Sequence, residues 1–231
     1  MKKAELTRQH VLDTALALFR KRGFEETTMR DIARAAGLAL GAAYYHFPSK
    51  DALLFAFYDA NQSATEARTR VYPTGEPLRA RLGRLFHDRL HDVAPNRTLL
   101  GAIIPRHANP ADPVSAFSAE SADVRARAIA LFDAAIAPED LPPPTRALVA
   151  RALWAAHLGI LIYFADDRSP GQRKTHRLVD DVLDLVTPLV ALARTPAAAP
   201  LVAQVVRAAS RAMQPDRRSG PRGPRSRSRA G

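Results

Sequence analysis

The chain has 231 residues, 47% of them hydrophobic and 25% charged, a balance that excludes wholesale disorder. It has no cysteine, which excludes disulfide scaffolds, thiolate metal sites, iron–sulfur ligation and cysteine nucleophiles together. The formal net charge of +11 divides into +4 over residues 1–50, zero over 51–194 and +7 over 195–231. Basic ends around a neutral middle point either to polyanion-binding ends on a segment with another task or to ends that aid solubility.

Apolar spacing is helical throughout, and only 14 residues are Phe or Tyr. A first helix over about Glu5–Lys21 places Val11, Leu12, Ala15, Leu18 and Phe19 on one face and ends at Gly23. A second begins at Thr28 and closes at Gly37. A third covers about Leu40–Phe47, and Ser49 is the expected N-cap of a fourth. Further helices are predicted over about Pro77–Val93, Thr98–Arg106, Ser118–Ile136, Pro144–Ala165 and Gly171–Ala193, separated by proline-bearing loops. The last two carry broad apolar faces, read as either a helix–helix dimer seam or deep burial in one domain. After Thr195 come a Pro/Ala linker, a helix over about Leu201–Met213 and a tail over 214–231 whose composition predicts disorder. Its arginines (Arg217, Arg218, Arg222, Arg225, Arg227, Arg229) either hold DNA through counterion release or form a solvated terminus. No uninterrupted apolar run reaches the ~18 residues of a membrane span, and the start has no signal-peptide pattern. The expectation is a soluble cytoplasmic chain with no membrane partner.

Thr28-Met29-Arg30-Asp31 has the form of a capping box, with Ile32, Ala33 and Ala36 on an inward face behind it. Gly37 stands where the chain leaves the helix in a left-handed conformation. A second short helix follows within three residues, which is a helix-turn-helix pattern whose second member enters a major groove. In that second helix Ala43 and Phe47 face inward. Gly41 and Ala42 allow close approach, Tyr44, Tyr45 and His46 are placed to bond phosphates, and Lys50 adds a point charge.

From Val11-Leu12-Asp13-Thr14-Ala15 through Gly23-Phe24, Thr27-Thr28-Met29-Arg30-Asp31-Ile32-Ala33 and Ala36-Gly37-Leu38 to Gly41–Leu54, the chain resembles the tetracycline-repressor (TetR/AcrR) family. The resemblance covers nearly all of residues 8–54 in one register. It implies an all-α protein. An N-terminal three-helix DNA-binding domain over 1–60 (helix-turn-helix about 28–47) would precede a ligand-binding and dimerisation domain over 61–194, with 195–231 as linker, short helix and tail. It also implies a ligand-released repressor that binds a near-palindromic double-stranded operator as a homodimer, paired through the helices at about 144–165 and 171–193. Positions matching the family's DNA contacts are Thr28, Arg30, Leu40, Gly41, Ala42, Tyr44, Tyr45, His46 and Lys50. Two residues depart from the family pattern. Ala39 stands where relatives carry a serine or threonine N-cap, a loss of roughly 1 kcal/mol, and Leu40 stands where a polar or basic side chain is common. Leu40, Gly41 and Ala42 offer base edges no side-chain hydrogen bonds. Base reading is therefore expected from Arg30, from contact with thymine methyls and from DNA shape.

For the effector cavity the candidate residues are Phe117, Phe132, Trp154, His157, Tyr163 and Phe164, each of which taken singly reads first as ordinary core packing. The zero charge of 51–194 suggests a neutral or lipophilic effector, an expectation that one buried arginine would overturn. His107 with Asp112 is too sparse for a metal, and no phosphate loop, Gly-x-Ser-x-Gly elbow or His-Glu-x-x-His helix occurs. No catalytic residue, cofactor or metal is expected. The alternatives are an activator of the same fold, a helical small-molecule-binding protein with incidental basic ends, and a non-specific DNA-compacting protein driven by the tail.

Overall fold

A computed structural model describes residues 3–212, and every regular element among them is helical. The expected tail over 214–231 lies outside the described residues. Ten α-helices follow one another: α1 (Lys3–Arg22), α2 (Met29–Ala35), α3 (Leu40–His46), α4 (Lys50–Thr69), α5 (Leu78–Val93), α6 (Arg97–Ala108), α7 (Ala122–Ile136), α8 (Pro143–Asp166), α9 (Arg173–Ala193) and α10 (Ala199–Ala212). They surround two apolar cores. The first gathers Val11, Leu12, Ala15 and Phe19 of α1 with Ile32, Ala33, Ala43, Phe47, Leu53, Leu54 and Phe57, and borrows Leu99 and Ile103 from α6. The second gathers Leu82, Leu85, Phe86 and Leu90 of α5 with Phe132, Ile136, Leu153, Ile160, Phe164, Val179 and Leu183. Helix α4 belongs to both halves. It runs unbroken through residue 60, so the expected boundary there falls inside a helix and no linker separates the halves.

The local chemistry of α2 and α3 follows from their termini. The Asp31 amide donates to Thr28 Oγ1 at 3.1 Å while the Thr28 amide donates to Asp31 Oδ2 at 3.1 Å, a reciprocal capping box. At the other end Gly37 takes φ +67°. The Leu38 amide then donates to Ala33 O at 2.9 Å and the Gly37 amide to Arg34 O at 3.2 Å, the Schellman closure. Helix α3 has no side-chain N-cap, since Ala39 has nothing to offer, and is held by the burial of Ala43 and Phe47. Ser49 caps α4 through the Ala52 amide at 3.1 Å.

Helix α7 starts at Ala122 and not at Ser118, because Ser118 Oγ accepts from the Ser121 amide at 3.1 Å and holds 118–121 in turns. Helix α6 runs through Pro105 and α9 through Pro188. Helix α8 is, by length and composition alone, apolar enough to cross a membrane. Here its buried residues Leu153, Trp154, Ile160 and Phe164 serve the second core. The broad faces of α8 and α9 prove to be divided. Leu153, Ile160, Val179 and Leu183 are buried, whereas Ile162, Tyr163, Leu185, Leu189 and Leu192 are exposed. The turn between these helices is built on Asp167. It accepts from the Thr175 amide at 2.9 Å, the Thr175 hydroxyl at 2.7 Å and the Ser169 amide at 2.9 Å. Burial pushes the Asp167 carboxyl up, but the hydrogen bonds from Ser169 and Thr175 win and hold it well below the usual range. Arg97 of α6 adds a bond to Asp167 O at 2.6 Å.

Two stability predictions follow from these termini. A Cβ at Gly37 meets nothing within 4 Å, so Gly37→Ala pays only the left-handed backbone penalty and costs about 1–2 kcal/mol in urea denaturation. Asp167→Asn costs about 1–2 kcal/mol at pH 7. Because the carboxyl is depressed in the folded state, its contribution is present above the unfolded value of about 4 and is lost as pH falls through the folded value. Urea titrations at pH 7 and pH 3 therefore find the gap between wild type and variant narrowing at the lower pH.

Candidate nucleic-acid interface and internal cavity

The capping box and the glycine turn present α3 at one end of the molecule. Leu40, Gly41, Tyr44 and Tyr45 are exposed there, Tyr45 at 82%, while Ala42 and His46 are half-buried. Tyr45 and His46 meet edge to face at 5.1 Å. Thr28 and Arg30 are exposed beside them at the start of α2. The Thr28 hydroxyl is already engaged with Asp31, donating to Oδ2 at 2.6 Å. Arg30 makes no hydrogen bond or ion pair among the described residues, so its whole guanidinium is free to reach outward.

Lys50, expected as a free point charge, is turned back onto its own chain. Its Nζ donates to Phe24 O at 2.8 Å and Glu25 O at 3.3 Å, and lies 4.4 Å from the centre of the Phe24 ring. The carbonyls of the loop before α2 have no helical partners, and a lysine at the first position of α4 is close enough to take them. One N–H of the ammonium is left over. A cation that the sequence reading passed over is Arg8, whose guanidinium sits 4.6 Å from the centre of the Phe47 ring at the end of α3. The signal for it was a basic residue one turn before Val11 and Leu12, on the face α1 turns towards α3.

The second feature is a cavity of about 400 Å³ in the larger half. Helix α4 contributes Phe57, Tyr58, Asn61, Gln62 and Thr65, and α6 contributes Leu100, Ile104, His107 and Ala108. Of the six expected lining residues Phe117, Trp154 and His157 are there, with Phe117 edge-on to Trp154 at 5.7 Å. The other three are elsewhere. Phe132 lies in the core behind His157, the ring centres 6.0 Å apart, and Phe164 is buried in the same core. Tyr163 is exposed, because nine residues at about 100° each turn it to the side of α8 opposite Trp154. The walls are mostly apolar, yet Arg89 of α5 also lines the cavity. Burial pushes its guanidinium down to about 10, so it stays charged at neutral pH. Burial also holds His157 well below the usual histidine value, so that ring is neutral. Arg89, with Arg125 in the same wall, removes the ground for reading zero charge over 51–194 as a neutral site, since a segment sum averages single cations away. Its signal was its place on the apolar stripe Leu82, Leu85, Phe86, Arg89 at helical spacing.

Two halves that each carry one of these features also match one family in separate parts of the chain. Residues 11–57 match the description "Bacterial regulatory proteins, tetR family", and residues 81–207 match "Tetracyclin repressor-like, C-terminal domain". The chain is 37% identical to the HTH-type transcriptional regulator AcrR of Shigella flexneri over 87 residues, 36% of this chain and 40% of that protein. It is 49% identical to the HTH-type transcriptional repressor KstR2 of Rhodococcus jostii over 47 residues, 20% of this chain and 23% of that one. The chain thus spans under half the length of these curated relatives. A tetR-family transcriptional regulator from Streptomyces coelicolor has the same fold, with a TM-score of 0.62 at 24% identity, covering 96% of this chain and 94% of that one. Thermus thermophilus FadR, described as a repressor in complex with lauroyl-CoA, has a TM-score of 0.60 at 22% identity over 81% of this chain and 95% of its own. With the C-terminal description alone matching more than half of its residues, the chain belongs to the TetR family of bacterial regulatory proteins.

Proposed function

We propose that this protein is a ligand-released transcriptional repressor that binds a near-palindromic operator as a homodimer. The observation that carries the reading is that α4 and α6 serve both features. Leu53, Leu54 and Phe57 of α4 are buried in the core beneath α3, and Phe57 to Thr65 of the same helix line the cavity. Helix α6 lines the cavity and carries in its last turn Arg106, whose Nη1 and Nη2 donate to the Asp51 carboxylate in the first turn of α4 at 2.7 and 3.1 Å. A molecule that fills the cavity bears on both helices, and their common lever is the base of the head. Release of DNA is then a shift between two head positions, biased by whichever one the occupied cavity accommodates.

In this reading the major groove receives α3 through Leu40, Gly41 and Ala42, with Tyr44, Tyr45 and His46 on phosphates and Arg30 on a base edge. Thr28 and Lys50 contribute through what their internal bonds leave free. Dimerisation uses the exposed apolar residues Tyr163 of α8 with Leu185, Leu189 and Leu192 of α9, beside a groove that Val149, Ala152, Ala156 and Val186 help to line. An exposed patch of that kind is what a subunit interface covers.

Operators selected from genomic fragments test the whole reading, since a palindrome is the expected product. Arg30→Ala is expected to weaken the selected operator by about 1–3 kcal/mol more than a scrambled duplex in titrations at fixed salt. An equal loss on both duplexes assigns Arg30 to phosphate alone. Leu189→Glu is expected to yield monomers in analytical ultracentrifugation and, with them, at least tenfold weaker operator binding, on the order of the 1.4 kcal/mol per decade of affinity. A variant that remains dimeric rejects the seam.

A further inference from the structure

Among the described residues Arg89 has two hydrogen-bond partners, both neutral. Its Nε donates to His157 Nε2 at 2.9 Å and its Nη1 to Gln62 Oε1 at 3.1 Å. A guanidinium has five N–H groups, so three are unspent, and no carboxylate of the described residues forms an ion pair with it. The acids on its own helix are committed elsewhere. Asp92 is 2.7 Å from Arg68 and accepts from Thr65 at 3.1 Å, and Asp88 is 3.7 Å from Arg68 and accepts from Tyr72 at 2.6 Å. Two further polar groups in the same cavity wall are left without partners. His157 Nε2 accepts from Arg89, which puts the ring proton on Nδ1, and that atom is buried and unsatisfied. The buried Tyr58 hydroxyl is unsatisfied as well. A buried cation retained only for packing is normally met by a carboxylate, and a buried donor by an acceptor. Here Arg89 and the two orphaned groups line one mostly apolar cavity, in which Asp92 is already paired with Arg68.

We propose that Arg89 anchors the acidic group of an amphipathic effector, a monocarboxylate whose apolar body lies against Leu100, Ile104, Trp154 and Leu161. The planar fork of the guanidinium takes two carboxylate oxygens in parallel, and the His157 Nδ1–H and Tyr58 hydroxyl supply the next donors. Neither arginine of the wall has a carboxylate partner among the described residues, and the single negative charge is assigned to Arg89, whose neighbour His157 carries the orphaned Nδ1–H. A phosphate monoester brings a second charge, and Arg125, the other arginine in the wall, spends Nη1 on Ala116 O at 2.8 Å and Ser118 O at 2.9 Å. The inference rests on the reading of this cavity as the effector site and adds the chemistry of the effector.

Trp154 is the only tryptophan of the chain and lines the cavity, so its emission reports occupancy. The full chain is titrated with octanoate, 1-octanol and octyl phosphate, as wild type, Arg89→Gln and Arg89→Lys, and in parallel on operator DNA. Wild type is expected to bind octanoate at least about tenfold more tightly than octanol, Arg89→Gln to remove that advantage while leaving octanol affinity unchanged, and Arg89→Lys to keep part of it. Equal affinity for acid and alcohol in the wild type, octanoate binding indifferent to Arg89→Gln, or no response of Trp154 to any probe overturns the proposal. Tighter binding of octyl phosphate than of octanoate overturns the carboxylate assignment. Should Arg89→Gln fail to fold, the wild-type comparison and the lysine variant still decide. Octanol that binds and releases DNA while octanoate does neither removes the acid and leaves the repressor reading intact. Arg89-dependent octanoate binding without any effect on DNA supports the acid site and removes the release reading.

Discussion

The structure depends on the sharing of one rigid helix between two cores. Helix α4 has 20 residues and so runs about 30 Å, with Leu53, Leu54 and Phe57 sealed into the head and Gln62 and Thr65 buried beside α5 and α7. A close-packed interior does not deform continuously, so a helix built into both ends moves as a unit or not at all. Charged clamps fix its bearing on the body. Arg106 ties its first turn to α6, and Arg127 of α7 holds Asp59, Ser63 and Glu66 farther along, the last at 2.8 and 2.9 Å. A head hinged on a flexible linker would not feel the cavity. This one has no linker.

The polar interior divides into groups that are satisfied and groups that are not, and the division maps onto two physical roles. Asp167 has its oxygens filled by Thr175 and Ser169 and its carbonyl filled by Arg97, so the α8–α9 turn and α6 are locked together. Nothing there is left to bind. At the cavity Arg89, His157 and Tyr58 are enclosed by protein and only partly paired. A low dielectric raises the stakes of both arrangements, stiffening the complete network and leaving the incomplete one with free energy to gain from a partner. The same logic separates the cations of the head. Arg8 and Lys50 rest on Phe47 and Phe24 and stiffen the frame around α3, whereas Arg30 has no partner among the described residues.

Much of the head was legible because its determinants are local. Thr28 and Asp31 are three residues apart, Gly37 needs a left-handed backbone, and Ser49 caps the residue three beyond it. Each signal is complete within one turn of chain, and each takes the expected form. Most boundaries moved by a residue or two, and the start of α7 moved farther because Ser118 competes with the helix there. The helical spacing of the body was equally plain, yet the rank of its aromatics was not. Phe117, Trp154 and His157 face the cavity while Phe132, Phe164 and Tyr163 do not, because that outcome turns on which side of α7 or α8 meets another helix.

By itself the chain of residues determined an all-helical protein, a capped helix-turn-helix with α3 at its tip, and the likeness to one regulator family. These follow from propensity, capping and periodicity, which act over a few residues. Only the tertiary structure decided that Lys50 turns inward, that the broad faces of α8 and α9 are half core and half surface, and that Arg89 enters the cavity unpaired. Each of these depends on partners distant in sequence: Phe24 for Lys50, and Gln62 and His157 for Arg89. Charge summed along a segment cannot register such meetings, because burial and pairing belong to positions in space.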